Sequence, residues 1–461
     1  MITVERNSET SVDKSEDCVD ENGFSYPDGG LKAWIVTIGA ILGIFSIWGM
    51  FLIIGMIELH LSENQLQHES TSTIAWIFSV YTFFYFSSGI FSGLYFDRYG
   101  LRAPVLIGSA LYLTGVLLTA NATKVWHFII SFGCLVGISS GVAMNPLVAV
   151  ISHYFYKKRG LAISLAISGG TLGGVAYSGI MGHLFRQVGF AWAMRLIALI
   201  SLCALSIMIM LVREDPAKLK VLTEQERNLN VFRKTTQYIR ECMDCKAIIH
   251  SSDYRWFAIA TCAAEAACGC CITYLPRYMS TVGYDEEDYF LVITALNLAS
   301  VVGGISVCIV ADRWLGHFNA IIIVNLIIAL AGFSIWLPAG SKSKIYMYVF
   351  SAIYGACYGP ILMLVPVCCG KISRTDEFCT RYSTVYVLVS FTFLVTIPIS
   401  AGIIGKGSLP SYKVFVVFIS TISALSSVLF FLSKLYAVKT TTHTTKVNMK
   451  QTLLKAFSAI Y

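Results

Sequence analysis

Long apolar stretches recur along the whole of this 461-residue chain, and they constrain its fold more than any other feature. A helix needs about 20 predominantly apolar residues to cross the hydrocarbon core of a bilayer. Charged residues make up only 13% of the chain, roughly half the share of a typical soluble domain. We therefore predict a polytopic membrane protein with helical spans at residues 33–57, 72–96, 103–120, 125–151, 160–182, 190–212, 256–278, 289–311, 318–338, 345–369, 382–404 and 412–436.

The positive charges are distributed unevenly between the predicted loops. With the N-terminus inside, 26 of the 34 Lys and Arg residues fall on cytoplasmic segments and seven on outside loops, and Arg195 is left within a span. This is the positive-inside pattern, which predicts that both termini are cytoplasmic. The formal charge of +7 therefore reflects membrane topology, and we predict the lipid bilayer, not nucleic acid, as a partner.

The longest polar segment divides the chain into two halves of six spans each. A short motif around Asp97 in the first half is repeated around Asp312 in the second, about half a chain later. Two related halves with a site between them are typical of secondary transporters. We predict an all-α membrane protein of two six-helix bundles, organised as a disordered acidic cytoplasmic tail (1–32), an N-terminal bundle (33–212), a cytoplasmic linker (213–255), a C-terminal bundle (256–436) and a cytoplasmic tail (437–461).

Several motifs resemble those of a known group of transporters. The stretch GLYFDRYGLR is similar to the loop motif of the major facilitator superfamily, and IVADRWLGH, with Asp312 and Arg313, is its counterpart in the second half. YPDGGLKAW and YFYKKRGLAISLAISGG resemble two signatures of the monocarboxylate transporter family, and further stretches resemble its fungal branch. The resemblance implies the major facilitator fold and alternating access. The residues that match the loop motif are Gly93, Asp97, Arg98, Gly100 and Arg102.

The loop between spans 2 and 3 is expected to act as a cytoplasmic gate. Gly100 permits a tight turn, and Arg98 and Arg102 are positive charges that keep the loop inside. The resemblance implies that Asp97 caps the N-terminal end of span 11, near DEFCTRYSTVY, and so holds the cytoplasmic side closed. The alternative is that these charges only set the topology.

Polar side chains within spans are candidates for substrate or proton handling, because their burial in lipid is costly. Glu265 lies near the middle of span 7, where burial would favour its protonated form and let it carry a proton. The alternative is a structural hydrogen bond to a neighbouring helix. Asn145 in span 4 and Asn297 in span 8 either line the cavity or form such interhelical hydrogen bonds.

Two further charged residues lie nearer the span ends. Arg195, about one and a half turns into span 6, either faces the cavity and binds an anionic substrate or reaches to the outer interface. Glu58 is expected at the outer rim of span 1, as an interface residue and not a ligand.

The residues that carry proton-linked lactate transport in animal members of the resembling family are not present. Those transporters use a lysine in span 1 and an acid–arginine pair in span 8, whereas this chain has no lysine in span 1 and no acid or arginine in span 8 before Asp312 at its cytoplasmic end. Members of the fungal branch are associated with other solutes, riboflavin among them. We predict a secondary transporter of a small, monocarboxylate-like organic solute, either coupled to H⁺ or a uniporter, in the plasma membrane rather than the vacuolar membrane.

Two alternatives stay open at this point. One is a facilitative carrier of riboflavin or another non-monocarboxylate solute, and the other is a non-transporting nutrient sensor. The sequence contains no recognisable nucleophile–base pair, metal-binding cluster or phosphate loop, so we expect no enzymatic activity, no cofactor and no metal.

Overall fold

The fold is described from a computed structural model that covers residues 18–19, 25–155, 159–215, 243, 245–373 and 378–442. Two short strands, β1 (Cys18–Val19) and β2 (Ser25–Tyr26), pair antiparallel before the first helix. They fall in the segment for which disorder is expected, and the rest of that segment up to residue 24 lies outside the described residues. So do most of the predicted linker and the end of the predicted C-terminal tail.

The first half of the chain is helical wherever the apolar stretches predict spans. Its helices begin and end with local signals: the Ser70 side chain accepts a hydrogen bond from the Thr73 amide at a helix start, and Gly100 ends the same helix at a φ of 88°. The helices are α1 (Gly30–Leu52), α2 (Ile54–Glu63), α3 (Thr71–Tyr99), α4 (Arg102–Ala120), α5 (Val125–His153), α6 (Arg159–Gln187) and α7 (Gly189–Leu211).

The second half repeats this arrangement after a short helix. Gly316 ends its second long helix at a φ of 78°, as Gly100 does in the first half, which supports the relation between the halves. The helices are α8 (Cys245–His250), α9 (Ser252–Val282), α10 (Glu286–Leu315), α11 (His317–Ala339), α12 (Lys344–Lys371), α13 (Phe378–Ile404) and α14 (Leu409–Thr442).

Twelve of the described helices are long and apolar enough to cross a membrane, and they form two bundles. In the first half α1 packs on α6 and α7, α3 on α5, and α4 on α5 and α7. In the second, α10 packs on α12, α9 on α13 and α14, and α11 on α12 and α14. The predicted fold class, an all-α membrane protein of two six-helix bundles, is confirmed.

Among the described residues, the bundles are joined mainly by α3 with α13, α6 with α10, and α2 with α9. We call the end of the molecule that carries the connections after α2, α4, α6, α9, α11 and α13 the distal end. The opposite end, where α1 begins and α14 ends, is the terminal end. The first span differs from the prediction of one continuous helix, because α1 ends at Leu52 and α2 begins at Ile54.

The contact between α1 and α6 depends on glycine. A Cβ built on Gly49 of α1 would lie 2.8 Å from the carbonyl carbon of Gly173 in α6, so the two backbones are nearly in contact. Small residues allow such close approach of helices in lipid.

We expect Gly49→Ala to destabilise the first bundle, because a backbone atom cannot move aside as a side chain can. Overpacking of about 1–3 kcal/mol would lower the melting temperature of the detergent-purified protein by roughly 3–8 °C. Gly179→Ala in α6 is the matched control, since a Cβ at Gly179 meets nothing within 4 Å. Equal melting temperatures for the two variants would contradict this account of the packing.

Candidate functional site at the seam between the bundles

Aromatic side chains from both bundles meet at the centre of the molecule. The rings of Trp48 and Phe51 stack at 4.9 Å between centroids, and Phe51 also contacts Phe393 across the seam at 6.5 Å. Phe86 stacks on Phe393 at 5.5 Å with only 3° between the planes. We call this set the aromatic cluster, and its members are Trp48, Phe51, Tyr81, Tyr85, Phe86, Tyr354, Tyr358, Tyr382, Tyr386 and Phe393.

Glu265 of α9 lies beside the aromatic cluster. Its carboxyl group lies near the hydroxyl groups of Tyr358, Tyr382 and Tyr386. The residue is 2% exposed, and its Oε1 atom accepts no hydrogen bond from the described residues. No ion pair to it is found in the described part of the chain, so the structure places an uncompensated carboxyl group at the centre.

Asn297 of α10 lies on the seam where α10 packs against α6. A Cβ built on Gly174 of α6 would lie 2.8 Å from the Asn297 Nδ2 atom and 3.0 Å from the Leu52 Cβ atom, so the amide is next to the end of α1. Asn297 is 1% exposed. Neither its Nδ2 nor its Oδ1 atom has a hydrogen-bond partner within the described ranges. An interhelical hydrogen bond, the alternative interpretation of this residue, is therefore not observed there.

Asn145 of α5 lies against α3 in the first bundle. A Cβ built on Gly89 would be 2.6 Å from its Nδ2 atom, and Gly89 follows Tyr85 and Phe86 of the aromatic cluster by about one helical turn. Because α3 runs from the distal to the terminal end, Asn145 lies on the terminal-end side of the cluster. Its side chain is exposed, so it is not within the buried part of the cluster.

Arg195 of α7 is not brought to this centre. Its Nη2 atom donates to Asn121 Oδ1 at 2.8 Å, in the distal connection after α4, and its guanidinium group lies 4.9 Å from the centre of the Trp192 ring. Because the residue is close to the distal start of α7, its side chain reaches outward along the helix. These contacts agree with the interface alternative and not with a cavity ligand.

The loop motif is ordered where the structure describes it. Gly100 makes the turn, Arg98 is buried and Arg102 is exposed. A Cβ at Gly93 would meet nothing within 4 Å. The Asp97 side chain and residues 374–377 at the start of span 11 lie outside the described residues, so the cap between them stays a prediction.

The second-half counterpart of this motif forms a local pair. Asp312 Oδ1 and His317 Nε2 are 2.7 Å apart, and Arg313 is exposed at the terminal end.

A buried polar network at the distal end joins the two bundles. Glu58 of α2 is 0% exposed, and its Oε1 atom accepts a hydrogen bond of 2.6 Å from Arg277 Nη1 of α9. The Arg277 Nη2 atom donates to Thr71 Oγ1 at 3.1 Å, and Thr71 Oγ1 in turn donates to the Gly405 carbonyl at 2.7 Å. We call these four residues the distal network. The expectation that Glu58 is an interface residue at the rim is wrong, because the carboxylate is fully buried against its cation.

Further polar contacts join the two bundles on the distal side. The Ser79 hydroxyl of α3 donates to the Leu394 carbonyl of α13 at 3.2 Å, and the hydroxyl groups of Ser178 and Thr294 hydrogen bond at 2.7 Å between α6 and α10. Ser280 also donates to Glu63 between α9 and α2. The described conformation is therefore sealed on the distal side of the aromatic cluster.

Comparison of the sequence with known proteins matches this chain to one family of membrane transporters. The profile of the Major Facilitator Superfamily matches residues 33–391. The riboflavin transporter MCH5 of Saccharomyces cerevisiae is 36% identical over 442 residues, which cover 94% of this chain and 84% of the relative. The aspyridones efflux protein apdF of Emericella nidulans is 30% identical over 383 residues, which cover 83% of this chain and 74% of the relative.

Comparison with solved structures supports the same architecture. A mutant of the nucleoside transporter NupG superposes with a TM-score of 0.66, covering 87% of this chain and 100% of that chain. The sequence identity is 11%, so this likeness concerns the fold alone.

Proposed function

This chain belongs to the major facilitator superfamily, and from that premise we propose that it carries a planar, uncharged heteroaromatic solute of the riboflavin kind across a membrane. The observation that carries the proposal is the aromatic cluster at the seam between the bundles. Aromatic faces bind flat rings by stacking, and substrate sites of such carriers lie near the membrane midplane between the two repeats. The relative named for riboflavin transport supports the choice of solute class.

The charges at the site favour this solute over the monocarboxylate predicted from the sequence motifs. A small carboxylate needs a cation or several donors to replace its hydration. The candidate cation within a span, Arg195, is engaged at the distal surface by Asn121. Arg277 is engaged by Glu58, and Arg381, which precedes Tyr382 of the aromatic cluster, donates to the Ile372 carbonyl. An uncharged ring avoids this requirement.

We infer that transport proceeds by alternating access between the bundles. The distal network closes one side in the described conformation, and the predicted cap formed by Asp97 would close the terminal side in the other. With the termini in the cytoplasm, as the positive-inside pattern predicts, the distal end faces outward and the described conformation is closed to the outside. We propose the plasma membrane as its location.

Uptake into liposomes that contain the purified protein tests the proposal. We expect labelled riboflavin to be taken up, and labelled pyruvate and lactate not to be. Phe51→Leu keeps an apolar side chain but removes the stacking face, so it should raise the KM for riboflavin roughly tenfold, which corresponds to about 1.4 kcal/mol. Phe333→Leu, at an exposed position of α11, is the matched control and should behave as wild type.

This uptake assay, together with riboflavin binding to the purified protein, separates the alternatives. Uptake of pyruvate or lactate without riboflavin would overturn the proposal in favour of a monocarboxylate carrier. Saturable riboflavin binding with no uptake would indicate a nutrient sensor that retains the fold.

A further inference from the structure

The buried amide of Asn297 is the polar group at the seam whose hydrogen-bonding capacity is least used. An asparagine side chain offers two N–H donors on Nδ2 and an acceptor on Oδ1. Almost all buried polar side chains in folded proteins have a partner, so an unpaired one calls for an explanation. Here both polar atoms lack a partner among the described residues, at 1% exposure.

The position of Asn297 relative to Trp48 is fixed by two glycines of α6. A Cβ at Gly170 would lie 2.5 Å from the Trp48 Cβ atom, and a Cβ at Gly174 would lie 2.8 Å from Asn297 Nδ2. Residues four apart lie on the same face of a helix, about 6 Å along its axis. The indole of the first bundle and the amide of the second therefore lie one turn apart against one face of α6.

Other unpaired groups surround the same place. The indole Nε1 of Trp48 and the hydroxyl of Tyr85 have no hydrogen-bond partner in the described part of the chain. Ser300, one turn after Asn297 in α10, is likewise buried with its Oγ unpaired by any described residue. The rings next to these groups supply stacking faces, since Trp48 and Tyr85 are 5.7 Å apart and both contact Phe51.

We propose that Asn297 binds a ring amide of the transported solute, with its Oδ1 accepting from a ring N–H and its Nδ2 donating to the adjacent ring carbonyl, while the ring stacks in the aromatic cluster. The inference rests on the proposed function and assigns the group that selects the solute. An adjacent donor and acceptor on a flat ring match the paired donor and acceptor of a side-chain amide, which is how asparagine reads the edge of adenine. The pyrimidine-dione edge of the flavin ring system is one example of this chemistry.

Such a contact links recognition to the movement of the bundles. Asn297 belongs to the second bundle, and Trp48 belongs to the first. A solute that stacks on one and hydrogen bonds the other bridges the seam, so its affinity differs between conformations that bring the two together or separate them. A ligand shifts a conformational equilibrium only through such a difference in affinity.

Binding of two matched ligands to the purified full-length protein tests the proposal. The probes are riboflavin and riboflavin methylated at ring nitrogen N3, which keeps the ring and the carbonyls but removes the N–H. We expect wild type to bind the methylated ligand at least about tenfold more weakly, because a buried acceptor is left unpaired. Asn297→Leu should bind riboflavin at least about tenfold more weakly than wild type and should no longer discriminate between the two ligands.

Asn325→Leu is the matched control for this experiment. Asn325 of α11 is as deeply buried, but its Nδ2 donates to the Ile321 carbonyl at 2.8 Å and its Oδ1 accepts from Ser426 at 2.9 Å. Its replacement should lower stability and leave the discrimination between the ligands intact. If Asn297→Leu does not fold, Asn297→Ala removes the donor and the acceptor with a smaller side chain, and it should weaken riboflavin binding and abolish the discrimination in the same way.

Equal affinities of wild type for both ligands, or discrimination that survives in the Asn297 variants, would overturn the role of Asn297 and leave riboflavin transport standing. Absence of riboflavin binding would instead count against the proposed solute. Uracil and hypoxanthine, each with its N-methylated counterpart, then probe the amide contact independently. Failure of wild type to prefer any unmethylated ring amide would overturn the inference for the whole class.

Discussion

Arg277→Ala is expected to lower riboflavin uptake by roughly a hundredfold or more, while the protein is still inserted and folded. The substitution leaves the Glu58 carboxylate, which is 0% exposed, without the cation that lies 2.6 Å from it. Removal of one partner from a buried ion pair costs about 3–5 kcal/mol, which corresponds to a factor of roughly 10² to several times 10³ in an equilibrium constant. Because Glu58 and Arg277 belong to different bundles, this cost falls on the distally closed conformation, and its population should decrease by that factor.

Two measurements check this result together. Transport is measured as uptake into liposomes, and closure is measured as amide hydrogen exchange of the distal segments around residues 53–70 and 283–285, which should become faster in the variant. Lys344→Ala is the matched control. Lys344 Nζ lies 3.1 Å from Asp288 Oδ2, but this pair lies within the second bundle, Lys344 is half exposed, and Tyr348 still donates to Asp288. Its loss should change uptake less than about threefold.

The double variant Glu58→Gln/Arg277→Ala, compared with each single variant, measures the interaction between the two side chains apart from the effect that each has alone. Once the carboxylate is neutral, the loss of its cation leaves no buried charge, so the double variant should transport better than Arg277→Ala alone. Non-additivity of this kind is expected only for residues that interact directly. If the two substitutions simply add, or if exchange at the distal end is unchanged in Arg277→Ala, the distal network is not what closes that side.

The architecture could be predicted from the sequence because its signals are local. The length of each apolar stretch is sufficient to predict twelve helices. The uneven placement of Lys and Arg predicts how these helices are oriented in the membrane. The interruption of the first span at Ile53 could not be predicted in this way. It lies where α2 approaches α9 so closely that a Cβ on Gly55 would be 2.7 Å from the Thr273 carbonyl oxygen, and nothing within span 1 indicates that distant partner.

The candidate site was predictable only where its residues carry a local signal in the sequence. Glu265 and Asn297 are polar residues in the middle of apolar stretches, and the cost of burying them in lipid identifies them one at a time. Glu58 and Arg277 lie near the ends of their spans, where water is the expected surroundings, and they are 219 residues apart in the chain. Only the packing of one bundle against the other shows that the two charges are buried together. For the same reason the sequence could not decide whether Arg195, near the end of its span, faces the cavity or the interface. Its partner Asn121 lies 74 residues away in the chain.

Glu265→Gln is expected to abolish the acceleration of uptake by an inward proton gradient. We propose that Glu265 binds the coupled proton, since its buried carboxyl group has no ion-pair partner in the described part of the chain and lies near tyrosines of the aromatic cluster. A carboxyl group buried without a cation favours the neutral form. Glu265 is therefore suited to hold a proton while the bundles change conformation. Glutamine has the same shape, is neutral at every pH and cannot exchange a proton.

Gradient-driven accumulation and downhill exchange must be measured separately. Each pH unit across the membrane is worth about 1.4 kcal/mol per proton, or roughly tenfold accumulation of the solute at a clamped voltage. Wild type should reach this accumulation, and Glu265→Gln should equilibrate riboflavin without exceeding the external concentration at any pH. Glu287→Gln, the same change at an exposed position of the distal end, should accumulate like wild type. If wild type itself only equilibrates riboflavin whatever the gradient, the protein is a uniporter and Glu265 has a structural role; if Glu265→Gln still accumulates it, the proton binds elsewhere.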